Sequence, residues 1–170
     1  MWLLGLAACG GAAPGPAPTA AFAVRGVGVV VRTAAPFAAR PDFPARVEST
    51  VEAALAYWGG GWDRLDGVTI DFEGTPHVAC AGTAGAIGCF DGDIRVTTQD
   101  PTVELTCVEQ TALVHEVGHA VIGDAAHTDP RWMDFEPVAQ ALAGRPGYGA
   151  AGEAPCPIYL SLWRHPPQSN

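Results

Sequence analysis

Residues 107–122 read CVEQTALVHEVGHAVI, the strongest helical pattern in the chain. On a helix that advances by about 100° per residue, Leu113, Val117, Ala120 and Val121 share one face, and His115 and His119 fall roughly opposite. One side of this helix is therefore expected to meet a core, and the other to be free to hold a metal.

The segments before it supply partners for the apolar side. Val68–Phe72 (VTIDF) and Ile94–Thr97 (IRVT) read as strands, separated by a Gly-rich stretch that carries Cys80 and Cys89. Val24–Arg32 (VRGVGVVVR) is a β-branched run and predicts a first strand. Between them, Pro44–Trp58 places Val47, Val51, Ala54, Leu55 and Trp58 at helical spacing, with Pro at the start and three glycines after the end. The expected fold class is α+β, a twisted mixed sheet with a backing helix and a central helix over 107–122. No internal repeat is visible.

The chain has 170 residues, 48% of them apolar, enough for one domain with a hydrophobic core. Acidic residues outnumber basic ones 18 to 9, and the net charge of -9 argues against nucleic acid or anionic lipid as a partner. At the N-terminus, MWLLGLAACGG carries an apolar run too short to span a bilayer. Leu6-Ala7-Ala8-Cys9 resembles the lipobox of bacterial lipoproteins, which implies a signal peptide over 1–8, lipidation of Cys9 and membrane contact only through that anchor. Gly10 after the cysteine favours the outer membrane or cell surface, with plain secretion as the alternative. Residues 9–22, rich in Pro, Gly and Ala, are expected to form a flexible tether, and 23–170 the folded domain. In an exported chain, Cys80, Cys89, Cys107 and Cys156 are expected to form two disulfides. Of three connectivities, the favoured one joins Cys80 to Cys89 across the Gly-rich hairpin, and Cys107 to Cys156.

The central helix also contains His115-Glu116-Val117-Gly118-His119, the pattern HExxH. Histidines four apart lie one above the other, so both imidazoles can reach a single Zn²⁺, and the intervening glutamate can take a proton from a water on that metal. A catalytic zinc site uses three protein ligands and leaves a position for water, and His127 is the natural third. His77 and His165 have no partner at ligand spacing and read as surface or structural residues.

The longer stretch HEVGHAVIGDAAHTDPRWMDF resembles the metzincin clan of metallopeptidases, whose pattern is HExxHxxGxxH followed by a methionine turn beneath the metal. The resemblance implies His115, His119 and His127 as zinc ligands, Glu116 as general base, Gly123 as the helix stop and Met133 as the Met-turn. Here His127 follows His119 by eight positions where the clan has six, with one added residue on each side of Gly123. Asp124, Asp129 and Glu136 compete for the third position, Glu136 because a downstream glutamate would resemble the gluzincins. Phe135 stands where astacin-like members carry a tyrosine, which would leave oxyanion stabilisation mainly to the metal. In the clan, an antiparallel edge strand binds substrate as an added strand, and Asp93–Thr98 (DIRVTT) is the candidate edge; Pro137–Ala143 is a candidate C-terminal helix. No cysteine-switch motif is visible. The implied activity is that of a monomeric zinc-dependent endopeptidase acting on polypeptides outside the cytoplasm. The alternatives are a non-catalytic surface lipoprotein that uses a degenerate zincin fold as a binding module, and a zinc amidase acting on cell-wall peptides.

Overall fold

A computed structural model describes residues 17–32, 41–81, 83–98 and 107–132. In chain order the elements are strands β1 (Ala20–Val24) and β2 (Val27–Arg32), helix α1 (Phe43–Trp58), strands β3 (Thr69–Glu73), β4 (Val78–Cys80), β5 (Thr83–Ala86), β6 (Gly88–Phe90) and β7 (Ile94–Thr97), and helix α2 (Cys107–Ile122). Short 3-10 turns occupy Trp62–Leu65 and Pro130–Trp132.

The β-branched run expected as one strand is a hairpin. Arg25 and Gly26 both take positive φ, 49° and 90°, and Val24 pairs with Val27 across them. A two-residue turn of this hand follows the twist of the flanking strands. The first strand draws Ala20–Phe22 out of the expected tether, because Ala20 pairs with Val31 and the Phe22 ring packs edge-on against Phe43 at 5.8 Å.

Five strands form a mixed sheet in the order β1-β2-β3-β7-β6, and β4 and β5 pair separately as an antiparallel ribbon. β2, β3 and β7 run parallel, while β1 and β6 are antiparallel additions at the two edges. Alternation sends Val29, Val31, Ile70, Phe72, Ile94 and Val96 into the core, each 0% exposed. Helix α1 covers this face with the stripe read from the sequence, Val47, Val51, Ala54, Leu55 and Trp58, all buried. Each of the valine and leucine side chains in this stripe contributes roughly 1.5–3 kcal/mol of transfer free energy. Gly59 ends α1 at φ 77°, and its N–H donates to the Leu55 carbonyl at 2.9 Å.

Two further expectations change. The strand over Ile94–Thr97 forms as read, but it lies between β3 and β6 and is not an edge. The chain before it doubles back at Asp91–Asp93, with Gly92 at φ 109°, and lays Gly88–Phe90 along its outer side. Helix α2 covers 107–122 as read, yet it has no open side through its middle: from Glu109 to Gly118 every residue is buried. A helix enclosed on all sides needs covers on each, and α2 has α1, β6, β7 and the loop that follows it.

The Cys80–Cys89 disulfide is present and joins β4 to β6. Cys156, and with it the expected pairing to Cys107, lies outside the described residues, as do Cys9 and the segment 1–8.

Where α2 meets the end of α1, Gly118 leaves no room for a side chain. A Cβ there would stand 2.6 Å from the Trp58 ring and 2.8 Å from the Trp132 ring, and the Trp58 indole N–H donates to the Val114 carbonyl at 2.8 Å. Neither ring is a flexible side-chain tip that can step aside. Gly118→Ala is therefore expected to destabilise the domain by about 1–3 kcal/mol, read as a lower urea midpoint at unchanged m-value.

Candidate metal centre

The site grows out of the last turn of α2. His115 and His119 stand one helical turn apart, with Nε2 atoms 3.1 Å from each other. Gly123 then takes φ 66°, its N–H donating to the His119 carbonyl at 2.9 Å, and the chain leaves the helix axis. The returning loop is organised by one carboxylate. Asp124 accepts the N–H of Ala126 at 3.2 Å and, on its other oxygen, the N–H of Asp129 at 2.7 Å, the hydroxyl of Thr128 at 3.2 Å and the indole N–H of Trp132 at 2.9 Å.

His127 sits inside this loop with φ 55°, a left-handed conformation uncommon for a non-glycine residue. Its Nε2 lies 3.2 Å from that of His115 and 3.1 Å from that of His119. Of the two residues added relative to the metzincin spacing, the one before Gly123 extends α2 and the one after it lengthens the loop, and His127 joins the pair. Asp124 and Asp129 do not: the first is occupied by the loop, and the second grips Arg131 through Nε at 2.9 Å and Nη2 at 2.7 Å, which holds its carboxyl down to about 2. Arg131 also donates from Nη1 to the Trp58 carbonyl at 2.6 Å, fastening the loop to the end of α1. His77 is exposed and stands apart from the triad, in keeping with its reading as a surface residue. Met133, Phe135, Glu136, His165 and the segment 137–143 lie outside the described residues.

Three Nε2 atoms meeting at one point are not served by hydrogen bonds among themselves, since each offers either one N–H or one lone pair. A shared cation serves all three lone pairs at once. A tetrahedral ion bound at ~2.1 Å spaces its ligand atoms by ~3.4 Å, close to the separations found here. Burial holds His115 well below the ordinary imidazole range, aided by its two histidine neighbours, and burial likewise lowers His119 and His127. All three therefore favour the neutral form that ligates metal.

Glu116 is 5% exposed, and burial alone pushes its carboxyl up to about 8. It lies under β6 so closely that a Cβ on Gly88 would come within 2.5 Å of its Oε1. Glu116 and the three histidines line a cleft of about 660 Å³, walled by β6 and the β4–β5 ribbon, with Ile87 and Phe90 among its apolar residues.

Sequence reasoning missed the support. The Trp132 ring packs against all three imidazoles, with centroids at 4.8 Å from His115, 4.7 Å from His119 and 4.6 Å from His127. Asp124 was visible as a possible ligand, although an aspartate directly after a helix-ending glycine is also the signal of a side chain that caps its own loop.

No protein-family model matches the chain, and neither a curated protein nor a solved structure matches it.

Loss of a group that merely orients a ligand costs about 10–100-fold in metal affinity, so loss of a ligand should cost at least that. His127→Ala is expected to weaken Zn²⁺ binding by more than about 100-fold in a chelator competition, with His77→Ala unchanged.

Proposed function

We propose that the domain is a zinc-dependent endopeptidase of metzincin type. The observation that carries the reading is the convergence of three imidazole nitrogens in a cleft that also holds a buried glutamate. His115, His119 and His127 would hold the ion, and a triad of neutral imidazoles suits zinc among the divalent metals of its class. Bound there, zinc supplies a Lewis acid that acidifies water and polarises a carbonyl.

The remaining chemistry belongs to the chain. Glu116 is the general base: its carboxylate accepts a proton from the attacking water and delivers it to the nitrogen that leaves as the C–N bond breaks. Burial favours the protonated form of this carboxyl, and a divalent ion held by the triad would oppose it by favouring the ionised form. Ile87 and Phe90 contribute apolar surface to the same cleft.

The cleft also offers a place for an extended substrate. The Thr97 N–H donates to the Ile87 carbonyl at 2.9 Å, and bonding residues alternate along an antiparallel ladder. Gly88 and Phe90 therefore turn their N–H and C=O groups away from β7. A polypeptide can add to this edge as a further strand, so β6 takes the part expected of Asp93–Thr98. The Cys80–Cys89 disulfide supports an oxidising compartment, in line with a protein exported and either lipid-anchored through Cys9 or secreted.

Glu116→Gln is expected to keep the parent's zinc content by mass spectrometry and to lose about 10²–10⁴-fold in turnover on a peptide library. Equal cleavage by parent and variant would overturn the mechanism. A methyl group at position 88 would push against the Glu116 carboxylate. Gly88→Ala is accordingly expected to bind zinc like the parent while its kcat falls.

A further inference from the structure

The metal reading leaves open what holds His127 in place. His115 and His119 share a helix, whose backbone sets their spacing. His127 comes from a loop, in a left-handed conformation. Among the described residues, the ring and hydrogen-bond partners of its imidazole are His115, His119 and Trp132. Without an ion, the other two histidines give it little that is directional, which leaves the indole.

Trp132 is itself fixed from three directions. Its ring lies 4.3 Å from the Trp58 ring at the end of α1, and it fills the space beside Gly118 that any side chain there would occupy. Its N–H donates to Asp124, the same carboxylate that accepts the backbone N–H of Asp129 and so sets the path of the loop. The residue is 9% exposed. A flat, rigid surface with one anchored polar edge therefore lies in contact with all three imidazoles at nearly equal centroid distances.

We propose that Trp132 is a positioning residue of the metal site, an aromatic floor locked by Asp124 and Trp58 that sets the mutual separation of His115, His119 and His127. The proposal rests on the reading of the triad as a metal site and assigns to the indole the geometry of that site. A floor of this kind acts before any ion arrives, because it restricts the rings to the arrangement in which their lone pairs converge. Its loss would widen the triad and lower affinity through the looseness of His127. The indole touches neither substrate nor the reacting atoms in this scheme, so its effect runs through the three ligands.

The test is a Co²⁺ titration of the full chain, followed by the visible absorption bands that report coordination geometry and by competition with a chromogenic chelator. Trp132→Leu is expected to lose about 10–100-fold in affinity, the range found when a ligand's supporting group is removed, with its Co²⁺ bands shifted. Trp132→Phe keeps a ring on the floor and is expected to stay within a few-fold of the parent with unshifted bands. If Trp132→Leu does not fold, Trp132→Met, which fills the space without a rigid plane, takes its place with the same expectations. Parent-like affinity and bands in the Leu or Met variant would overturn the proposal and leave the metal reading standing. A parent chain that binds neither Co²⁺ nor Zn²⁺ would overturn both.

Discussion

Three imidazole nitrogens lie within 3.2 Å of one another at the end of a buried helix, and the rest of the site follows from that crowding. Taken alone, the arrangement is unfavourable, since three lone pairs or N–H dipoles aimed at one point repel. It persists because the chain fixes each ring from behind, by the α2 backbone for two of them and by the Asp124 loop and Trp132 for the third. Burial, which depresses the proton affinity of all three, favours the neutral form in which an imidazole can ligate a metal.

The cost of that arrangement is spread over the core. Trp58, the last residue of α1, does three things at once: it fills the space between the helices, donates its indole N–H to the Val114 carbonyl, and carries the Trp132 ring on its own. Gly118, inside the HExxH pattern, has no side chain because two indole rings occupy that volume. Gly88 repeats the logic on the other side, where the missing Cβ leaves room for the Glu116 carboxylate beneath the edge strand. Two glycines thus bring the triad and the Glu116 carboxylate into close contact with their neighbours, which restricts the positions these side chains can take.

The wall of the cleft is a lighter construction. The β4–β5 ribbon belongs to neither helix layer nor main sheet, and a disulfide from Cys80 to Cys89 couples it to β6. A two-stranded ribbon is marginal by itself. The covalent link lets so small an element stand beside the edge strand β6.

Much of this was legible from residue order because it is local. The helical spacing of Val47, Val51, Ala54, Leu55 and Trp58 fixes α1, the histidines four apart fix two imidazoles on one helical face, and a sequence separation of 9 between Cys80 and Cys89 suits a local disulfide. What residue order left open depends on contacts between distant segments. Whether Val24–Arg32 is one strand or two turns on Arg25 accepting a positive φ, which the gain from pairing with β2 decides. Which strand forms the edge depends on how the Gly-rich stretch folds back, and which of His127, Asp124 and Asp129 faces the triad depends on where the carboxylates find donors. The sequence alone determined the chemistry on offer, two imidazoles and a carboxylate on one helix. Tertiary structure decided between His127, the third ligand favoured from residue order, and the aspartates that competed with it, and it alone placed the indole beneath all three imidazoles, because a loop's path is set by the partners it meets after the helices have packed.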